Sequence, residues 1–258
     1  MLRLVMIGYA EFHQTNANQD AAGTGGLGCR RDPLQPTSLT LDRNQIERIV
    51  REYLLEYPEV IEEAMIGLSE KRELEEQERQ RAVIAAHTEA LQDHPLSPVS
   101  GNVDGDIAVV EFFDYQCPYC KRALGPVTEL LETDSQVRVV WKEYPILGPD
   151  SRFAARAAMA AERQGHYHEF HVALMSESNR LSEERTIEIA TDIGLDIDKL
   201  REDMEDPAIE SYLDETAQLA NVLGIRGTPA FVIGDILVPG AVDTDRMREV
   251  IAQVRAGR

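Results

Sequence analysis

Two cysteines separated by two residues, Cys117 and Cys120, stand where an apolar run gives way to a helical pattern in IAVVEFFDYQCPYCKR, Ile107 to Arg122. The run Ile107 to Phe113 is bounded by Gly105-Asp106 before and Asp114 after, which predicts a strand buried on both faces. Beyond the cysteines, Ala123, Leu124, Val127, Leu130 and Leu131 recur at helical spacing. A cysteine at the first turn of a helix sits among unsatisfied N–H groups and the positive end of the helix dipole, which favour its thiolate, the form that attacks sulfur. Positions i and i+3 on a helix are about 5–6 Å apart at Cβ, within reach of a disulfide. The spacing therefore points to reversible thiol–disulfide chemistry. A structural disulfide or half of a zinc site would use the same spacing, but zinc needs two further ligands, and no second Cys/His pair is evident.

Around this pair the elements read as follows. QVRVVWKEY, Gln136 to Tyr144, is rich in β-branched residues and carries the only Trp, so a β-α-β unit is expected. From about 149 to 223 the pattern is helical, with four helices punctuated by Gly165, Gly194 and Pro207. GTPAFVIGDILVPG then predicts two short strands about Gly234-Asp235, and Thr244 to Val254 a closing helix.

Ahead of the cysteines, residues 1–38 read as a disordered lead rich in Gly, Asn, Gln and Pro. Residues 39–93 read as a helical leader, with Thr40 or Asp42 as N-cap, a break at Tyr57-Pro58, and a second helix from Pro58 towards Leu91. The middle of that second helix, EKRELEEQERQR, is almost wholly charged, which fits either a projecting stalk or a surface helix folded back on the rest. Residues 94–105 have the Pro, Ser and Gly content of a linker into a domain at 106–258.

The 258 residues carry 46 acidic and 26 basic side chains, a net charge of −20 that argues against a nucleic-acid partner. No run of about 18 apolar residues exists to cross a membrane as a helix. The start, Leu2 to Ala10 followed at once by Glu11, Phe12 and His13, makes a poor signal peptide. Cys29, in GTGGLGCRR, is assigned no role.

FFDYQCPYC at Phe112 to Cys120, WKEYPILG at Trp141 to Gly148 and GTPAFVIG at Gly227 to Gly234, in that order, resemble the DsbA family of thiol-disulfide oxidoreductases. LLEYPEVIEEA at Leu54 to Ala64 is similar to the leader of its ScsC-type members. The resemblance implies an α/β thioredoxin fold with a helical insertion, preceded by a helical stalk. It implies that Cys117 is the attacking thiol and Cys120 the one that resolves the mixed disulfide. It makes Pro229 a cis-proline, although X-Pro bonds in general are cis only about 5% of the time. It places Pro118, Tyr119, Thr228 and Pro229 on the substrate side, with Thr228 offering backbone hydrogen bonds to an extended chain. The partners implied are unfolded or misoxidised proteins with cysteines, a membrane redox partner that recharges the pair, and further copies of the chain through the leader. The compartment implied is the periplasm, and no cofactor is expected.

Glu111 is the one charge within the apolar strand. Buried, its carboxyl would be raised in pKa and could pass a proton to and from Cys120, and DsbA relatives have an acid at the matching place. A strand-end acid facing solvent is the alternative. Tyr119 replaces the histidine of the Pro-His pair in DsbA and brings no charge of its own, so a less oxidising enzyme is expected, one able to reshuffle wrong disulfides when kept reduced. A thioredoxin-like reductase and a chaperone-like binding protein are the other readings. His166, His168 and His171 fit the start of an amphipathic helix with Tyr167, Phe170 and Leu174 on its core face, and no metal is assigned to them.

Overall fold

Alternation of Val, Ile and Phe between turn residues builds the centre of the molecule. In the computed structural model, which describes residues 42–257, five strands form one sheet: β1 (Val99–Gly101), β2 (Ile107–Phe113), β3 (Val137–Glu143), β4 (Ala230–Ile233) and β5 (Ile236–Pro239). Their order is β1-β3-β2-β4-β5. β2 and β3 run parallel, joined by α4 (Pro118–Thr133), and every residue of β2 is buried, as expected of a run that is apolar but for Glu111. β4 pairs antiparallel with β2, and β5 with β4 through a turn at Gly234-Asp235. Gly234 has φ +61°, and a Cβ there would meet Val254 at 2.5 Å, so the turn needs glycine twice over.

Between β3 and β4 lie five helices, α5 (Pro149–Glu162), α6 (Tyr167–Ser176), α7 (Glu183–Asp192), α8 (Ile197–Met204) and α9 (Pro207–Val222), and α10 (Thr244–Ala256) follows β5. The sequence pattern predicted four helices for this insertion. The fifth arises because Asp206 caps a fresh helix at Pro207, its carboxylate accepting from the Ala208 N–H at 2.8 Å, where a continuous run is tempting to read.

The chain divides into two units, residues up to Pro58 and residues from Glu59. In the first, the described part is α1 (Arg43–Glu56) and its caps. Asp42, of the two caps expected, is the one described. It accepts from the Gln45 N–H, and the Gln45 side chain accepts from the Asp42 N–H, a complete capping box. Ile46, Ile49, Val50 and Tyr53 lie along the helix about half exposed.

The second unit begins with α2 (Glu59–Ala86), exposed from Ile61 through Arg79. The expected helix to Leu91 breaks at His87, and a short α3 (Thr88–Gln92) follows. Here the folded-back alternative describes the C-terminal end of α2. Ile84 and Leu91 are 1% and 0% exposed, packed with Val110, Phe112 and Val140 of the sheet and Leu219 and Leu223 near the end of α9. The end of the expected leader at 39–93 and part of the expected linker at 94–105 thus pack on the sheet. β1 pairs with β3 from Val99 to Gly101, and Lys142 of β3, 1% exposed, donates from Nζ to the Ala90 carbonyl and to Ser97 Oγ, both at 2.6 Å. Burial pushes that lysine down to about 8. Three residues of strand amid Ser, Pro and Gly carry too little pattern to be seen beforehand. The lead at 1–38 and Cys29 lie outside the described residues.

The other face of the sheet, under α4, α5 and α6, carries the larger core, including Val109, Phe113, Trp141, Phe170 and Phe231, together with both cysteines of the CPYC stretch.

Candidate active site

α4 starts where it does because Cys117 leaves the strand extended, with φ −76° and ψ 116°, and Pro118 occupies the first helical position, where a missing N–H costs nothing. The Cys117 N–H donates to the Asp114 carbonyl at 3.0 Å, closing the turn between β2 and α4. Both cysteines are free thiols; Cys117 is 5% and Cys120 1% exposed. Cys117 Sγ donates to the carbonyl oxygen of Thr228 at 3.2 Å. The Thr228-Pro229 peptide is cis, and Pro229 precedes β4 directly. The CPYC and GTP segments thus meet.

Beneath them lies Glu111, in the middle of β2 between Trp141 of β3 and Phe231 of β4. It is 2% exposed, so the solvent-facing alternative does not hold. Desolvation pushes its carboxyl up to about 8, and the charge of Cys117 adds to the rise. Burial pushes the Cys120 thiol far up, and the charges of Glu111 and Cys117 push the same way. A backbone hydrogen bond at Asp114 and the Thr228 side chain oppose that rise. The Glu111 carboxyl is thus felt electrostatically by both thiols.

Tyr119 is 55% exposed, and the guanidinium of Arg122 lies 4.2 Å from its ring centroid. The uncharged residue of the motif therefore carries a cation on its face. Lys121 points the other way, donating from Nζ to the Glu177 carbonyl in the insertion.

Asp114, a turn residue by its sequence, does more than end the strand. Buried at 1% exposure, it accepts at Oδ1 from the Gln116 N–H at 2.7 Å and from Ser151 Oγ at 2.8 Å, and at Oδ2 from the Leu147 N–H at 2.9 Å. One carboxylate so ties the CPYC turn to the 145–148 loop and to α5. Glu143 accepts from the phenols of Tyr115 and Tyr167, each at 2.9 Å, and burial raises its carboxyl well above the usual range. The only forewarning of either site is an acid next to strand residues, a signal too weak to act on.

The histidines separate. His166 precedes α6, the His168 ring lies 3.2 Å from Ser100 Oγ, and His171 is buried beside Tyr115, Phe113 and Trp141 with Nε2 lacking a partner. Among the described residues no three His, Cys, Asp or Glu side chains are grouped to hold a metal.

Residues 108–252 match the DSBA-like thioredoxin domain. The chain belongs to this family. Residues 42–81 match the Copper resistance protein ScsC N-terminal domain. The DSBA-like domain has relatives of known structure. A thioredoxin-like oxidoreductase from Silicibacter pomeroyi is 46% identical with a TM-score of 0.64, over 65% of this chain and 97% of that one. The thiol-disulfide exchange protein alpha-DsbA2 from Wolbachia pipientis is 30% identical with a TM-score of 0.65, over 69% and 97%. Proteus mirabilis ScsC, in a transitional conformation, is 28% identical with a TM-score of 0.63, over 84% and 100%. A Na(+)/H(+) antiporter, NhaA 3, from Salinispora tropica is 32% identical over 163 residues, 60% of this chain and 25% of the antiporter. The chain spans about a quarter of the length of the curated relatives it matches. Thiol–disulfide exchange is the chemistry of the DSBA-like family, and the ScsC-like and DsbA-like neighbours share this chain's fold.

Proposed function

We propose that the protein is a disulfide oxidoreductase of protein substrates that works through Cys117, with Cys120 as the second redox sulfur and Glu111 as its proton partner. The observation that carries the reading is the contact of a thiol at a helix start with the Thr228 carbonyl, beside a second, more deeply buried thiol in the same helix. A buried carboxyl whose proton comes off at about 8 interacts electrostatically with both.

In the reducing or reshuffling direction, the Cys117 thiolate attacks one sulfur of a substrate disulfide. The Cys117–substrate bond forms, the substrate S–S bond breaks, and the freed substrate sulfur leaves as a thiolate and takes a proton. Cys120 then loses its proton to Glu111 and attacks Cys117, which releases the reduced substrate and leaves the pair oxidised. If the freed thiolate instead attacks another substrate disulfide, and the thiolate released there attacks the Cys117–substrate bond, a new substrate disulfide forms, Cys117 leaves as the thiolate and the net result is isomerisation with the pair still reduced. In the oxidising direction, a substrate thiolate attacks Cys117 of the oxidised pair, and Cys120 leaves and takes its proton from Glu111. A second substrate thiolate then releases the new disulfide and leaves the pair reduced.

Substrates are unfolded or misoxidised proteins in the periplasm, and a membrane redox partner resets the pair. Copies of the chain associate through the apolar stripe of α1, where Ile46, Ile49, Val50 and Tyr53 stand half exposed. Pro118, Tyr119, Thr228 and Pro229 line the substrate side.

Insulin reduction and refolding of scrambled ribonuclease, with wild type and Cys117→Ser, test the reading. Loss of both activities in the variant supports it. Retention of aggregation suppression as the only activity of either protein would move the assignment to a chaperone-like binder. Equilibration with glutathione buffers decides the direction: a potential as oxidising as DsbA's would exclude the reshuffling role.

A further inference from the structure

The exposed charge on the two segments that bracket the reactive sulfur runs against that of the chain as a whole. The protein carries a net −20, and between residues 106 and 257, among the described residues, the arginines are spent on carboxylates with three exceptions, Arg122, Arg201 and Arg226. Two of these three belong to the segments that bracket Cys117. Arg122 lies on the face of Tyr119, one turn into the helix that Cys117 caps. Arg226 is exposed two residues before Thr228, whose carbonyl Cys117 touches, and it lines a hollow of about 320 Å³ with Ile225, Pro229, Leu237 and Pro239. The third nearby cation, Lys121, is already held by the Glu177 carbonyl.

An exposed arginine in a strongly acidic protein gains readily from a carboxylate, since partners are plentiful. Two left without one beside the same thiol make a site complementary to negative charge, while the rest of the surface repels it. Stacking on Tyr119 restricts Arg122 and so reduces the ordering cost of a second bond from its guanidinium. The loop that touches the thiol thus offers a hollow lined by one guanidinium, that of Arg226, and the helix that the thiol caps presents a second, that of Arg122 on the Tyr119 ring.

We propose that Arg122 and Arg226 select protein substrates whose reactive cysteine is flanked by aspartate or glutamate, with Tyr119 positioning Arg122 for that contact. This rests on the reading of Cys117 as the sulfur that substrates engage. Exposed ion pairs have modest strength, so each arginine accounts for roughly a 2–5-fold preference. The attraction acts over the screened range of charges in solution, so the preference fades as salt rises.

The test uses the full-length protein and three peptides of one length, each a mixed disulfide with glutathione, in which Asp, Ser or Lys flanks the cysteine. The readout is the ratio of second-order rates, acidic to neutral, for wild type, Arg122→Gln, Arg226→Gln, the double variant, Arg122→Lys and Tyr119→Leu. The wild-type ratio is expected to exceed about 4 at low salt, to fall roughly 2–5-fold in each single Gln variant, and to reach about 1 in the double variant or at about 0.5 M salt. Arg122→Lys is expected to keep most of the preference and Tyr119→Leu to lose part of it. A wild-type ratio near 1, or a ratio unchanged in the double variant, would overturn the proposal. Cys117→Ser separates the two levels: a variant that still exchanges with the peptides overturns the exchange reading itself, whereas loss of exchange alongside a flat charge series overturns only the selectivity.

Discussion

The sulfur of Cys117 and the backbone carbonyl of Thr228, 111 positions apart in sequence, are joined by a hydrogen bond of 3.2 Å. The carbonyl that the sequence reading offered to a substrate strand is therefore already engaged by the thiol. Once the thiol ionises it has nothing to donate, and the carbonyl is free to accept an N–H from an incoming chain. Cys117→Ala is accordingly expected to bind a cysteine-free extended peptide several-fold more tightly than the reduced wild type, by the net value of about one hydrogen bond. Calorimetric titration of both proteins checks this; equal or weaker binding by the variant would remove the competition.

Glu111 is the group whose loss distinguishes chemistry from packing. Replacement by glutamine keeps the shape and removes the proton acceptor, so release of the mixed disulfide at pH 7 is expected to slow about 100-fold, within the usual range for acid–base assistance. The wild-type rate should rise with pH through the ionisation at about 8, and the variant should lack that inflection. Acid-quenched trapping of the Cys117 adduct across pH 6 to 9 measures both. A shared inflection would assign it elsewhere.

Glu111 and His171 also shape stability against pH, in opposite directions. The folded protein holds the Glu111 proton up to about 8, whereas an unfolded glutamate releases it near 4.5, so this group's contribution declines as pH rises from 4.5 to 8. Burial lowers His171 to about 3 from 6.5, so its contribution declines as pH falls from 6.5 to 3. Each slope is about 1.4 kcal/mol per pH unit, and between 4.5 and 6.5 the two cancel. Urea unfolding as a function of pH should show Glu111→Gln flattening the alkaline limb and His171→Phe the acid limb; a limb unchanged by its variant sinks that assignment.

Asp114 braces three backbone or side-chain donors with one carboxylate. Asp114→Asn replaces an acceptor oxygen with a donor and is expected to cost about 1–3 kcal/mol. Amide hydrogen exchange should quicken first at Gln116 and Leu147, before any global loosening. Unchanged protection at both amides would contradict the bracing.

The end of α2 and all of α3 are integral to the sheet. A chain beginning at 102 would uncover Val110, Phe112 and Val140, discard β1 and leave the Lys142 ammonium without either of its acceptors, whereas one beginning at 80 keeps all of these. The shorter chain should unfold at markedly lower urea, and Leu91→Ala in the full chain should cost about 2–5 kcal/mol. Equal midpoints for the two truncations would show the packing to be dispensable.

What could be read beforehand was what is local and repetitive. The β2 run, the CPYC helix start and the hairpin about Gly234 declare themselves within a dozen residues, and Glu111 stood out because nothing else in its strand is charged. The cis form of Thr228-Pro229 was legible only through family likeness. β1 escaped because three residues cannot establish a period of two. The docking of α2 escaped because Ile84 and Leu91 are isolated apolar residues whose partners, near Val110 and Leu219, lie far along the chain. Asp114, Glu143 and Arg122 matter through what they touch, and no neighbour in sequence announces that.

Trp141 is the chain's single indole, and it lies 5.9 Å from Phe113 and 4.3 Å from His171 between ring centroids, one strand over from Glu111. Indole emission, excited beyond the absorption of the eight tyrosines, therefore originates at one spot in the core that also holds the reacting sulfurs, and interconversion between dithiol and disulfide can be followed in real time without attaching a dye.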